Sequence, residues 1–220
     1  MLSNLELLRR ELNTDDPWRL DTNPYEHERH RHMLRLSLMQ GRITNALEVG
    51  CAAGAFTEKL VDHCQRLTVI DVVPQAIARA RDRLKEPANT TWIVSDVKDF
   101  STRDKFDLIV VAEVLYYLDN LAEMRSTIRN LAGMLAPAGQ LVFGSSHDDT
   151  CRRWGHIAGA ETVLAMLREE LTEVEHFECK GQSLTEGCSL ARFRKSPDES
   201  QHTRLPSYKE EIACGSAGSS

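Results

Sequence analysis

The chain has 220 residues, 41% hydrophobic and 27% charged, with a formal net charge of −6. This composition suits one globular domain with a buried core and excludes collagen-like, fully disordered and disulfide-scaffold chains. The acidic balance lacks the positive field that would hold a phosphate backbone, so nucleic acid is not an expected partner. No apolar run approaches the roughly 20 residues of a membrane span, and Glu6, Arg9, Arg10 and Glu11 stand where a leader would be apolar, so no membrane span and a cytoplasmic location are expected.

Residues 1–40 read as a helical preface in which Pro24 starts a charged helix running to about Met39, placed to cap one end of a sheet. From 43 to about 195, apolar runs alternate with segments of helical period, which is the rhythm of a doubly wound α/β fold. Residues 46–49 predict a strand stopped by Gly50, and 57–64 a helix with Leu60, Val61 and Cys64 on its spacing. A second strand over 67–70 stops at Asp71, Pro74 opens a helix over 75–85, and a third strand over 92–94 ends at Asp96. Residues 106–111 form the continuous apolar run of a central parallel strand and end at Glu113. A helix over 121–135 is closed by Pro137 and Gly139, followed by a strand at 140–143, a helix at 161–171 and a terminal strand pair at 174–179 and 189–194. The expected architecture is a single domain over 1–196, its α/β core (43–195) built on a mostly parallel seven-stranded sheet. After Ser196 the chain turns to Pro, Ser, Gly and charge, so 197–220 is expected to be a disordered tail.

Cys51, Cys64, Cys151, Cys179, Cys188 and Cys214 include no C-x-x-C pair and are expected to be free thiols. The run from His27 to His32 lacks metal-ligand spacing and reads as a solvated helical face, so no metal is expected.

In a doubly wound sheet, ligands bind across the carboxyl ends of the strands. Those ends carry Glu48 to Gly54, Asp71, Asp96, Glu113 and Ser145 to Asp149. The turn Gly50-Cys51-Ala52-Ala53-Gly54 lets a ligand approach the main chain, but its spacing is not the G-x-G-x-x-G that holds a pyrophosphate. A carboxylate at Glu48 would repel a pyrophosphate and suit a ligand with positive charge. Asp71, about 20 residues past Gly50, is placed to accept both hydroxyls of a ribose. Asp96 can accept from an adenine amino group, with Val97 beside the ring. Glu113 is either a helix cap or a site carboxylate. The segment Ser145-Ser146-His147-Asp148-Asp149 with Trp154 is either a polar loop with a core tryptophan or a loop facing an acceptor.

Glu48-Val49-Gly50-Cys51-Ala52-Ala53-Gly54, then Asp71, Asp96 and the run from Phe106 to Glu113, resemble the class I S-adenosylmethionine-dependent methyltransferases, whose first motif is E-x-G-x-G-x-G. Ala52 replaces the middle glycine and leaves less room near the ligand carboxylate. Outside that core, Asp16-Pro17-Trp18-Arg19-Leu20, Asn23-Pro24-Tyr25-Glu26 with Arg29, and Ala112 through Leu118 resemble the nodulation methyltransferases. That family N-methylates the free terminal amine of a deacetylated chitooligosaccharide. The resemblance implies S-adenosyl-L-methionine as cofactor, held by Glu48, Gly50, Cys51, Ala52, Gly54, Asp71, Val72, Asp96, Val97 and Glu113. The preface would add Arg31 or Arg29 for the methionine carboxylate, while Trp18 and Tyr25 are either core or a cover over the cofactor. For the oligosaccharide, His147 or Glu113 could act as base and Tyr116 or Tyr117 could orient the nitrogen. Asp148 could receive the ammonium and Trp154 stack on a sugar ring. A methyltransferase with another nitrogen or oxygen acceptor, and a nicotinamide oxidoreductase of the same fold, remain open readings.

Overall fold

The structure, a computed structural model, describes residues 4–181 and 186–196. The segment expected as a tail, with Cys214, lies outside them. Seven strands, β1 Ile43–Val49, β2 Cys64–Asp71, β3 Thr90–Val94, β4 Phe106–Ala112, β5 Leu135–Ser146, β6 Thr172–Lys180 and β7 Gly187–Arg194, form one sheet in the order β3-β2-β1-β4-β5-β7-β6. Strands β1 to β5 pair in parallel, and β7 runs antiparallel to both β5 and β6. The chain therefore reverses its direction of progress between β1 and β4, which is where a doubly wound sheet opens its crevice.

The helices are α1 Asn4–Leu12, α2 Pro24–Leu38, α3 Thr57–Leu60, α4 Pro74–Leu84, α5 Leu121–Met134, α6 Asp148–Arg153 and α7 Ala160–Glu170. Side chains of β4 alternate between two apolar layers because successive residues of a strand point to opposite faces. Ile109 and Val111 join the layer with Met124, Ile128, Val163 and Leu167 of α5 and α7, while Leu108 and Val110 join Leu36, Ile77 and Ala80 of α2 and α4. Helix starts follow capping chemistry: Asn23 accepts from the Tyr25 N–H at 3.0 Å ahead of Pro24, and Asn120 accepts from the Glu123 N–H at 2.9 Å. Among the described residues no helix is long and apolar enough to cross a membrane, and the five described cysteines are free and buried.

Most strands run two or three residues longer than the sequence reading, and larger differences arise where sheet pairing or tertiary contact overrides local spacing. The helix expected over 57–64 stops at Leu60, a 3-10 turn follows over Val61–His63, and Cys64 opens β2 because it pairs with Ile43. The helix expected to run to 135 ends at Met134, since Leu135 pairs with Phe106. A bulge then carries Pro137 and Gly139 before Gln140 resumes the ladder opposite Leu108. The loop expected around 148 folds as α6.

Gly54 holds the first turn against α4. Its φ is +82°, and a Cβ there would sit 3.0 Å from both the Cα and the Cβ of Ala80. Gly54→Ala is expected to lower stability by roughly 1–3 kcal/mol through strain and overpacking. Gly133 of α5, where a Cβ would meet nothing within 4 Å, serves as control: Gly133→Ala should gain about 0.5 kcal/mol. Urea unfolding of both variants checks the contrast, and equal effects would remove the packing role of Gly54.

Candidate active site

The strand ends at the crevice carry four carboxyl groups, each fixed by a different local device. Glu48, at the end of β1, is buried; its Oε1 accepts from the Thr57 hydroxyl at 3.1 Å, and its Oε2 has no partner. Burial, with Asp71 nearby, pushes its pKa up to about 8. The adjoining turn places Gly50 at φ +79°, Ala52 at +48° and Gly54 at +82°. A Cβ at Gly50 would stand 2.3 Å from the Val114 side chain, so glycine is what lets the β4 loop cross over this turn. Ala52 adopts the left-handed backbone in spite of its Cβ, a conformation that costs roughly 1 kcal/mol outside glycine.

Asp71 ends β2, where its Oδ2 accepts from the Ala52 N–H at 3.2 Å and its Oδ1 from the Val73 N–H at 2.9 Å. The Cys51 N–H and thiol donate to it as well, and the carboxylate is thereby aimed along the glycine turn. Burial raises its pKa. Val72 beside it is half-buried. Cys51 is buried against the second apolar layer, and burial raises its thiol pKa. Past β3, Asp96 accepts from the Lys98 N–H at 3.1 Å, and Val97 is buried next to it.

Glu113, at the end of β4, has φ +54°. Such a backbone for a glutamate is sparsely populated and persists only where its surroundings fix it. The Ser146 N–H and hydroxyl donate to its Oε2 at 3.3 and 3.2 Å, Tyr116 hydrogen-bonds it, and Arg29 approaches to 3.5 Å. Burial pushes the Glu113 pKa up against the lowering pull of Arg29. Arg29 is itself buried and paired with Glu26. The Tyr25 hydroxyl joins this group through Cys188 and near Glu113, with burial raising its pKa.

Several residues expected at the site are placed elsewhere or used otherwise. Arg31 is corrected to Arg29: the Arg31 side chain is 69% exposed and paired with Glu28, while that of Arg29 is 7% exposed, because residues two apart on a helix face different directions. Asp148, expected to receive the ammonium, is already occupied, with Arg152 paired to it at 2.7 Å. Its carboxylate accepts from the Gly159 N–H at 2.7 Å, the Thr162 N–H at 3.2 Å and the Thr162 hydroxyl at 2.6 Å, tying α6 to α7. His147 has both ring nitrogens committed, Nδ1 at 2.9 Å from Glu161 and Nε2 at 3.2 Å from Glu178. Trp18 packs against the α2 and α4 side of the core. Trp154 is 47% exposed and lies 6.3 Å from Tyr116 between ring centroids. Tyr117 stacks 4.6 Å from Tyr116. His156, which the sequence reading passed over, stands against both tyrosines; only its place in the fold reveals it.

A sequence profile of the family described as Nodulation protein S (NodS) matches residues 2–200. Nodulation protein S of Sinorhizobium fredii strain NGR234 is 65% identical over 195 residues, which cover 89% of this chain and 90% of that protein. Among solved structures, N-methyltransferase NodS from Bradyrhizobium japonicum WM9 in complex with S-adenosyl-L-homocysteine has a TM-score of 0.85 at 62% identity, covering 86% of this chain and 97% of its own. Magnesium protoporphyrin IX methyltransferase from Synechocystis PCC 6803, at 12% identity with a TM-score of 0.69 over 88% of this chain and 95% of its own, shares the fold alone.

The raised pKa of Glu48 makes a pH-dependent stability prediction. Between pH 4.5 and about 8 the unfolded chain gives up a proton that the folded chain retains, so this group lowers stability as pH rises through that window and adds no further change above it. Glu48→Gln removes the dependence. The stability of the variant relative to the parent should therefore rise by about 3–4 kcal/mol from pH 4.5 to 8, at 1.36 kcal/mol per unit with both ends of the window half-titrated. His30, pushed down to about 3 by burial, acts equally in both proteins. A pH-independent difference in urea unfolding would contradict the assignment.

Proposed function

The chain belongs to the Nodulation protein S (NodS) family, and from that premise we propose that it methylates the free amine of the terminal glucosamine of a deacetylated chitooligosaccharide. It is an S-adenosylmethionine-dependent methyltransferase of the class I fold. The observation that carries the finer reading is the row of carboxyl groups at successive strand ends, Glu48, Asp71, Asp96 and Glu113, which favours a cationic donor and an acceptor that arrives as an ammonium.

The residues present suit the donor. Glu48 has an unpartnered buried oxygen beside a turn that a ligand can approach closely. Asp71, aimed along the glycine turn, suits the ribose hydroxyls, while Asp96 and Val97 suit the adenine edge, and Arg29 is a buried cation of this rim. Bound S-adenosylmethionine supplies an electrophilic methyl group, and the nitrogen–carbon bond forms as the carbon–sulfur bond breaks with its electron pair left on sulfur.

What the chain contributes is chiefly placement. Effective molarities of well-oriented partners can remove roughly 7–11 kcal/mol of a barrier, and a displacement in line depends on such orientation. Glu113, held by Ser146 and Arg29, presents carboxylate charge where the ammonium must enter. Tyr116 and Tyr117 can orient the nitrogen from the 3-10 turn Leu115–Tyr117. The exposed Trp154 offers a ring face to a sugar.

Labelled donor incubated with chitooligosaccharides should transfer methyl only to chains whose terminal residue is deacetylated. Transfer to acetylated chains, or to hydroxyl or carboxyl acceptors alone, would overturn the amine reading. Asp71→Ala should weaken S-adenosylhomocysteine about 10²-fold by calorimetry, as expected for losing two hydrogen bonds to a charged acceptor; unchanged affinity would refute the ribose role.

A further inference from the structure

The two histidines near α6 differ in what their rings are free to do. His147 is held by carboxylates at both nitrogens. His156 follows Gly155, whose φ of +92° turns the chain out of α6. The His156 N–H donates to the Cys151 carbonyl at 2.9 Å. Its ring then lies against Tyr116, at 4.8 Å between centroids, and edge-on to Tyr117, at 4.9 Å. Among the described residues, no hydrogen bond joins either ring nitrogen, and the side chain remains partly open to solvent. Tyr116 hydrogen-bonds both Glu113 and Tyr117. His156 is therefore one ring away from the carboxylate that ends β4.

We propose that His156 is the base that takes the proton from the acceptor ammonium, leaving the amine lone pair that attacks the donor methyl. This rests on the amine-methylating reading above. One N–H bond of the ammonium breaks with its electron pair kept on nitrogen. The proton passes to a free imidazole nitrogen and leaves to water from the open edge of the ring.

The titratable groups facing His156 keep its charge state simple. Tyr116 and Tyr117 on the turn after β4 and Cys151 on α6 are all raised by burial, Tyr117 and Cys151 to about 12, so all three are uncharged at neutral pH. Glu113 hydrogen-bonds Tyr116 and Glu11 of α1 acts on Tyr117, and neither acts on the His156 ring itself. Burial alone pulls the His156 pKa below 6.5, so above that pH its ring is neutral and able to accept a proton.

The test compares the full chain with His156→Gln and His156→Ala, using labelled donor and a deacetylated chitooligosaccharide from about pH 6.5 to 9.5, a range that spans the free-amine transition. His156→Gln should lower kcat about 10²-fold near pH 7, within the range for loss of a general base, with S-adenosylhomocysteine affinity unchanged by calorimetry. The deficit should shrink toward the alkaline end, where the amine is already unprotonated, and added imidazole should restore part of the activity of His156→Ala. A deficit of equal size at every pH, or rates within about twofold of the parent, would overturn the proposal. NMR titration of the ring in the intact parent chain adds a measurement independent of turnover: a ring that stays protonated above about pH 8, and so offers no lone pair near neutrality, would also overturn it. Failure of the parent to methylate any amine while binding S-adenosylhomocysteine would instead sink the amine reading.

Discussion

Burying a charge costs several kcal/mol unless it is paired, and this molecule buries an arginine where its amino-terminal helix meets the sheet rim. Arg29 has Glu26 on its own helix and Glu113 at the end of β4 as partners. Removing either partner would leave charge stranded, so the pairing fixes how α2 sits on the sheet. Glu113 is in turn held by Ser146 of β5, and Tyr25 reaches Cys188 of β7. One ion-pair cluster thus ties the preface helix to three strands. The left-handed backbone of Glu113 is tolerable because these partners fix it.

The same desolvation governs the rest of the rim. Glu48 is shielded from water with Asp71 close enough to raise its pKa further, and burial raises Asp71 as well. Without a counter-charge, the cheaper state of such a pair keeps a proton on one of them. A cation entering beside them favours the ionised form, so the rim by itself carries an electrostatic deficit that a positively charged donor relieves. A pyrophosphate would deepen that deficit. Selection between nucleoside cofactors by this fold can therefore rest on the sign of charge at the strand ends, and the glycine turn, common to both types of site, need not decide it.

The strands and their acidic termini are readable in the sequence because each signal is local. A buried parallel strand is an apolar run, and the residue that stops it is the one that reaches the crevice. Glu48, Asp71, Asp96 and Glu113 emerge this way. The choice between Arg29 and Arg31 is hard to read: α2 is charged on most faces, and the apolar stripe of Tyr25, Met33 and Leu36 that has Arg29 in phase is too short to stand out. Likewise Asp148 and His147 look available in the sequence, and only the arrival of Glu161 and Thr162 from α7 and Glu178 from β6 shows that they are occupied. The boundaries at Cys64 and Leu135 are misplaced for a related reason, since strand partners distant along the chain overrule a helical pattern.

The division of labour between sheet and additions follows from geometry. The carboxyl groups of Glu48, Asp71 and Glu113 are fixed by β1, β2 and β4, the elements that any doubly wound sheet must have at its switch point, and on the proposed reading the first two serve the donor. The acceptor side of that reading is built from pieces the sheet does not require: the 3-10 turn carrying Tyr116 and Tyr117, the short helix α6 and the turn at Gly155 that sets His156 on the tyrosine pair. Of these pieces α6 is anchored by Asp148, whose carboxylate joins it to α7, so it can differ without disturbing the carboxyl row at the strand ends. On the proposed reading, acceptor identity is then a property of the α6 segment and the turn beside it, and its chemistry depends on which imidazole the neighbouring carboxylates leave free.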